Sequence, residues 1–314
     1  MRSILACWGR GAPTAQAAVC GKQVPRGEGT PPPGGRLRHS LSTLTFTLTL
    51  TLTSYAFPPA PYYTIYGVVR DQVGATLNVE GAVIKLLRDN VEIGRAAIQT
   101  GVLLDQNYEL NIRIDQTRSG TRTYTTSAVA PQGVFSLQVS MNGQNFYPIE
   151  ANGTLRVGNG GERVRLDLSL GADANNDGLP DAWQEWVLYQ AGRRPGEAGW
   201  DINLVTKNGD FDGDGTGNFL EYLAGTFAGD ATERFELRLT GKTATAVSFE
   251  FYAITGKVYG IEESTDLQTW TTAPFSLTAG GATTTLHKAA AVGVLPVFTA
   301  ATTGASRFFR LTVR

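Results

Sequence analysis

Two histidines, two cysteines and two methionines in 314 residues leave little material for nucleophilic or soft-metal chemistry. There is no His/Cys cluster with zinc-ligand spacing and no phosphate-binding glycine loop. A Ser-His-Asp triad in the body of the chain would depend on His287, whose context "TTTLHKAA" holds no nucleophile elbow. That lone histidine reads as an ordinary surface or packing residue. Paired carboxylates of the glycosidase kind stay open, because their separation in space is not written in the sequence. Long apolar runs are also missing: the best candidate, "LTFTLTLTLT" from Leu44 onward, is too short and too rich in threonine to span a membrane as a helix.

Nor is there an excess of one charge, since 27 Lys and Arg face 28 Asp and Glu. That balance hides an uneven distribution. Residues 1–56 carry six basic side chains against Glu28, a net of +5, whereas residues 171–230 hold eight Asp and three Glu against Arg193, Arg194 and Lys207, a net of −8. The acidic centre is where a cation would bind, and the acidic body of the chain argues against nucleic acid as a partner.

The basic start reads as an upstream extension followed by a secretory signal. "RLRHS" supplies a positive flank, "LSTLTFTLTLTLTS" an uncharged stretch and "YAFPPAP" a small-residue exit near Ala56. Met1 and Met141 are the only methionines, so a start closer to this signal would need a non-AUG codon; Met1 is expected to lie too far upstream. The competing reading keeps "LTFTLTLTLT" as a half-buried strand, because its apolar residues alternate with threonine at period two. Cleavage near Ala56 would remove both Cys7 and Cys20, leaving an exported chain without disulfides and without a membrane span, in which bound metal could take over part of their stabilising role.

What the sequence has in plenty is glycine, 37 of them, with many Thr and Val residues. This composition predicts a mainly β fold. Between Tyr62 and Leu170 short strand-like runs succeed one another: "YTIYGVVRD", "VEGAVIKLLRD", "AAIQTGVLL" after a turn read at "DNVEIG", then "NYELNIRID", "GVFSLQVSMNG", "QNFYPIEANGTL" and "ERVRLDLSL". Their spacing predicts a sandwich of about seven strands. The opening "YGVVRDQVGATLNVEGAVIKLL" resembles the carboxypeptidase-regulatory-like, transthyretin-type β-sandwich of secreted bacterial proteins, a resemblance that implies a fold and no ligand.

The strongest pattern is acidic. A calcium loop of the EF-hand kind draws oxygens from positions 1, 3, 5, 7 (a backbone carbonyl), 9 and 12, with glycine at 6. In "DFDGDGTGNFLE" these are Asp210, Asp212, Asp214, the Thr216 carbonyl, Asn218 and Glu221, with Gly215 at the turn. Ca2+ takes six to eight hard oxygens in a tolerant geometry, which suits this set better than the tight octahedron of Mg2+. Upstream, "DANNDGLPDAWQE" places Asp173, Asn175, Asp177, the Leu179 carbonyl and Asp181 at positions 1, 3, 5, 7 and 9, with Gly178 at 6. Position 12 is the neutral Gln184. Either Glu185 reaches in after a small shift, or the first site is weaker and completed by water. Asp181 also opens a helix predicted over "DAWQEWVLYQAG", where an acidic residue and the preceding Pro180 are both favoured. The alternative for both loops is a solvated Asp/Asn/Gly turn.

Together "DANNDGLPDAWQEW" and "GDFDGDGTGNFLEYLAGTFAGD" resemble paired loops common in secreted proteins of Verrucomicrobia and Planctomycetes, which are related to thrombospondin type 3 repeats and dockerin-like EF-hand loops. "GKVYGIEESTDLQTW" and "SRFFRLTV" resemble the short β module that often ends such proteins. The resemblance implies export, calcium-stabilised architecture and a place at the cell surface or outside the cell, and no particular activity.

The expected organisation is therefore an extension and signal over 1–56, a β-sandwich over 57–170, paired calcium loops with short helices over 171–230, and a small β domain over 231–314. In that last part "RFELRLTG", "TAVSFEFYAI", "KVYGIEEST", "ATTTLHKAA", "PVFTAA" and "SRFFRLTVR" read as strands, with Trp270, Phe308, Phe309 and Leu311 as core or sheet-packing residues rather than a glycan platform. The leading functional expectation is a non-enzymatic structural or adhesive surface protein. The alternatives are a filament or surface-layer subunit assembled with copies of itself by strand addition, and an accessory module that binds or degrades surface glycans.

Overall fold

The computed structural model describes residues 61–99, 101, 103–116, 123, 125–301 and 306–314; the extension and signal expected over 1–56 lie outside the described residues. The fold is mainly β, with two α-helices between two groups of strands.

The first group begins with β1 (Tyr63–Gly67), β2 (Val69–Arg70), β3 (Val83–Arg88), β4 (Val91–Ala97) and β5 (Tyr108–Ile112). It continues with β6 (Val134–Met141), β7 (Gln144–Phe146), β8 (Leu155–Arg156), β9 (Arg163–Arg165) and β10 (Leu168–Ser169). One sheet has the order β5-β1-β9, antiparallel on one side of β1 and parallel on the other; β2 pairs with β10 in parallel. A larger sheet runs β4-β3-β6-β7, with β8 also on β6. Alternation explains the layering: Tyr63, Ile65 and Gly67 point inward from β1 while Thr64 and Tyr66 point outward. Ile65, Ile84, Leu110, Ile112, Leu137 and Leu168 form the buried core of this sandwich.

The strands differ from the sequence reading in number and in one boundary. Among the described residues ten short strands replace about seven, because Val68 interrupts the first run, "QNFYPIEANGTL" yields β7 and the start of β8, and "ERVRLDLSL" divides into β9 and β10. The turn expected at "DNVEIG" is confined to Asp89 and Asn90, both at positive φ (52° and 62°), and "VEIG" belongs to β4. Two consecutive left-handed residues make the tight hairpin that matches strand twist, and Asn and Asp tolerate that conformation well.

Next come α1 (Asp181–Gln190) and α2 (Asn218–Ala224). Helix α2 ends on Gly225 at φ 79°, a left-handed cap whose N–H returns to the Glu221 carbonyl. The two helices share a separate core in which Leu179, Trp183, Val187, Leu188, Val205 and Tyr222 are buried. Trp183 meets Tyr222 edge-on at 5.6 Å between ring centroids.

The second β group comprises β11 (Arg238–Lys242), β12 (Ala246–Ala253), β13 (Val258–Ser264), β14 (Thr271–Thr272), β15 (Phe275–Ser276), β16 (His287–Lys288), β17 (Gly293–Ala300) and β18 (Phe308–Val313). One sheet has the order β11-β12-β17-β15; in the other β13 is flanked by β14 and β16 on one path and pairs with β18. Phe249, Phe251, Tyr259, Ile261 and Phe275 fill the space between them. Phe309 and Leu311 pack against this core as expected, but Phe308 is exposed and Trp270 is half-buried beneath the Arg310 guanidinium, 4.3 Å from its ring centroid.

The three cores are tied together at one turn. The Tyr222 hydroxyl donates to the Asp71 carbonyl at 3.0 Å, so the end of α2 is fastened to the turn after β2. Lys257, just before β13, donates from Nζ to the Gly74 carbonyl at 2.8 Å and to the Tyr222 carbonyl at 3.4 Å. Gly74 is required there, because its φ is 82° and a Cβ would run into the Tyr222 carbonyl. Arg314 adds an ion pair to Asp105 at 3.0 Å.

Lys257 is only 8% exposed. Burial first, and then the Arg70 charge, push its ammonium down to about 8, with Asp71 opposing. An unfolded lysine keeps its proton up to about pH 10.5, so between pH 8 and 10.5 the unfolded chain binds more protons and stability rises with pH. In urea denaturation, the stability of the wild type relative to Lys257→Met should be flat below pH 8 and climb across that window; a level difference would place the ammonium in water, and a falling one would give it an anionic partner.

Candidate metal centre

The second acidic loop is shaped by its own aspartates. Asp210 accepts from the N–H groups of Gly213 and Gly215, both at 2.9 Å; Asp212 Oδ1 accepts from Asp214 N–H at 3.2 Å, and Asp214 Oδ1 from Thr216 N–H at 2.6 Å. Gly213 and Gly215 lie at φ 76° and 95°, which lets the chain turn tightly enough to aim these side chains together. One carboxylate oxygen from each of Asp210, Asp212 and Asp214 lies within 4.8 Å of the others, an acidic triad that could hold a metal ion.

What remains after these bonds is unusual. Asp212 Oδ2, Asp214 Oδ2 and both oxygens of Glu221 are buried without a hydrogen-bond donor. Glu221 is 0% exposed, one helical turn into α2. Burial first, and then the charges of Asp212, Asp214, Asp210 and Glu233, push its carboxyl up to about 8. The Asp212 carboxyl is also raised, mainly by burial, with Asp214 and Asp210 adding to it. The nearest cation is Arg234, whose Nε stands 3.8 Å from Asp214 Oδ2 and whose side chain is half exposed. Buried, like-charged, donorless oxygens cost several kcal/mol unless a cation or protons neutralise them. The donor set is entirely hard oxygen, and it fits a divalent cation of that preference.

Two other loop positions are placed differently. Thr216 is buried at the turn into α2. Asn218 braces the loop: its Oδ1 accepts from Phe211 N–H at 3.0 Å, and its Nδ2 donates to the Thr206 carbonyl at 2.7 Å.

The first loop has the same backbone plan and a different outcome. Asp173 accepts from Asp177 N–H and Gly178 N–H, both at 3.0 Å, Asn175 Oδ1 accepts from Asp177 N–H at 3.3 Å, and Asp177 Oδ1 accepts from Leu179 N–H at 2.8 Å. Asp181 is turned back to Ala174 N–H, at 3.0 and 3.1 Å from its two oxygens. Leu179 is buried in the helical core rather than facing solvent. Asp177 Oδ2 already has two donors, Gln184 Nε2 at 2.8 Å and Lys207 N–H at 3.1 Å. Glu185, expected to reach in, is exposed, whereas Gln184 is buried beside Trp183 on this turn of α1. One residue along a helix rotates the side chain by about 100°, which a small shift does not undo.

Comparison with protein-family models, with curated proteins and with solved structures found no match. Sequence reasoning passed over Tyr222 and Lys257, which join the acidic loop to its neighbours. Tyr222 was legible only as the residue after Glu221, and Gly74 only as a turn glycine.

Replacing Glu221 by Gln removes a buried carboxyl that has no donor among the described residues and must take up a proton on folding at neutral pH when no cation is bound. In chelator, Glu221→Gln should melt higher than the wild type by roughly 2–4 °C, the equivalent of about 1 kcal/mol. A lower melting temperature in chelator would mean that the carboxylate already has a partner.

Proposed function

We propose that this is an exported, non-enzymatic protein in which Ca2+ at the second acidic loop holds two β modules in a fixed junction, at the cell surface or outside the cell. One observation carries the reading: Glu221, fully buried with two donorless oxygens, is followed directly by Tyr222, which is bonded to the first sandwich through Asp71 and to the second β module through Lys257. A cation that fixes Glu221 therefore fixes the first turns of α2 and with them the side chain that reaches across. The aspartates serve this role better than catalysis, because the Asp214 side chain and Glu221 offer no surface to a substrate. Calcium is favoured over magnesium by the number of hard oxygens and the tolerance of the loop. Extracellular calcium near millimolar would keep even a modest site filled. Export rests on the basic flank, uncharged stretch and small-residue exit before Phe57. Among the described residues no helix is long and apolar enough to cross a membrane.

A second reading has its own observation. A cleft of about 830 Å³ lies at the second β module, lined by Leu239, Phe249, Trp270 and Phe308 among others, with β11 and β18 as sheet edges beside it. It favours an accessory that takes up a glycan or an added strand.

Calcium at a hundredfold excess over its dissociation constant would stabilise the fold by about 2.7 kcal/mol, a rise in melting temperature of roughly 5–10 °C. Thermal melts of the purified chain in calcium and in chelator should show that rise, with magnesium giving less. Superimposable melts would rule out the structural role.

A further inference from the structure

We infer that the first acidic loop closes without a cation, so that each chain holds one tightly bound ion, and that Gln184 is the residue that sets this number. The inference rests on the calcium reading of the second loop and adds to it a count and a specificity determinant.

The two loops can be compared position by position. At position 5 the second loop has Asp214, whose Oδ2 is buried with no hydrogen-bond donor. The first loop has Asp177, whose Oδ2 receives N–H groups from Gln184 and from the Lys207 backbone. At position 12 the second loop has the carboxylate of Glu221, both oxygens donorless, and the first has the amide of Gln184, equally buried at 0% exposure.

The amide is locked in the orientation that donates. Its Nε2 faces two acceptors, Asp177 Oδ2 at 2.8 Å and the Val205 carbonyl at 3.0 Å. Turning the amide over would set Oε1 against both of them, an oxygen facing two oxygens. Its Oε1 is buried without a donor. Two hydrogen-bond donors thus occupy the side of Asp177 that a cation would use.

A positive charge is also already in place beside this loop. The Lys207 side chain passes the turn glycine so closely that a Cβ on Gly178 would stand 2.8 Å from Nζ, and the ammonium sits 4.4 Å from the Phe219 ring centroid. Lys207 comes from the segment between the helices and Phe219 from α2, so this charge is held by packing as well as by its stem. A divalent ion entering the first loop would meet this charge as well as the aspartates.

The test is a calorimetric titration of the chelator-stripped, full-length protein with CaCl2, with bound metal counted independently by elemental analysis. The wild type should take up one ion; Asp177→Asn should still take up one, and Glu221→Gln should lose it. Gln184→Glu should take up two, and its melting temperature should rise with calcium by more than that of the wild type. Two ions in the wild type, one of them lost in Asp177→Asn, would overturn the count while leaving the calcium reading intact. No uptake by the wild type would overturn both. A Gln184→Glu protein that melts cooperatively in calcium yet still binds one ion would overturn the role given to Gln184.

Discussion

A carboxylate taken out of water without a donor is among the costliest groups a fold can contain, and the junction of this protein is built around one. Glu221 has no exposed surface, no hydrogen-bond donor and three aspartates among the charges that act on it. It cannot move to the surface without moving α2, because its neighbour Tyr222 is packed edge-on against Trp183 and its own carbonyl caps the helix at Gly225. The loop is arranged around that constraint: Asp212 and Asp214 each use one oxygen to shape it and leave the other buried without a donor.

From there the coupling runs through few atoms. Tyr222 is 1% exposed and sends its hydroxyl to the carbonyl of Asp71, whose side chain in turn holds the same turn through Val73 and Ala75 N–H. Lys257 arrives from the other β group and donates to carbonyls on both sides of the contact. Neutral hydrogen bonds contribute about 1 kcal/mol each, whereas leaving one of these buried carbonyls without its donor would cost more. Gly74 admits the close approach on which these bonds depend.

Part of this was legible in the sequence. Period-two alternation in "YTIYG" gave β1, because one face of the strand meets the core and the other is more open. Loop spacing brought Asp210, Asp212 and Asp214 together, since the EF-hand pattern encodes a local backbone path. Pairings between distant segments were not legible: β2 and β10 are two residues each, and only the fold sets Val69 beside Leu168. Of the two completions open at position 12 of the first loop, a reach by Glu185 is the one that burial disfavours, because the helical core claims the Trp183 and Gln184 side of α1. Position 9 of the second loop was read as a ligand from spacing, while in the fold Asn218 also bonds Phe211 and Thr206.

The central claim is that ion binding at residues 210–221 is felt across the junction. Hydrogen–deuterium exchange of the same protein in calcium and in chelator tests it directly, because the turn from Asp71 to Thr76 lies far from the loop in sequence and is bonded to the residue that follows it through the Tyr222 hydroxyl. Loss of protection at that turn on chelation, with β6 unchanged, is the predicted result. Faster exchange confined to residues 210–218, with the turn protected as before, would contradict it.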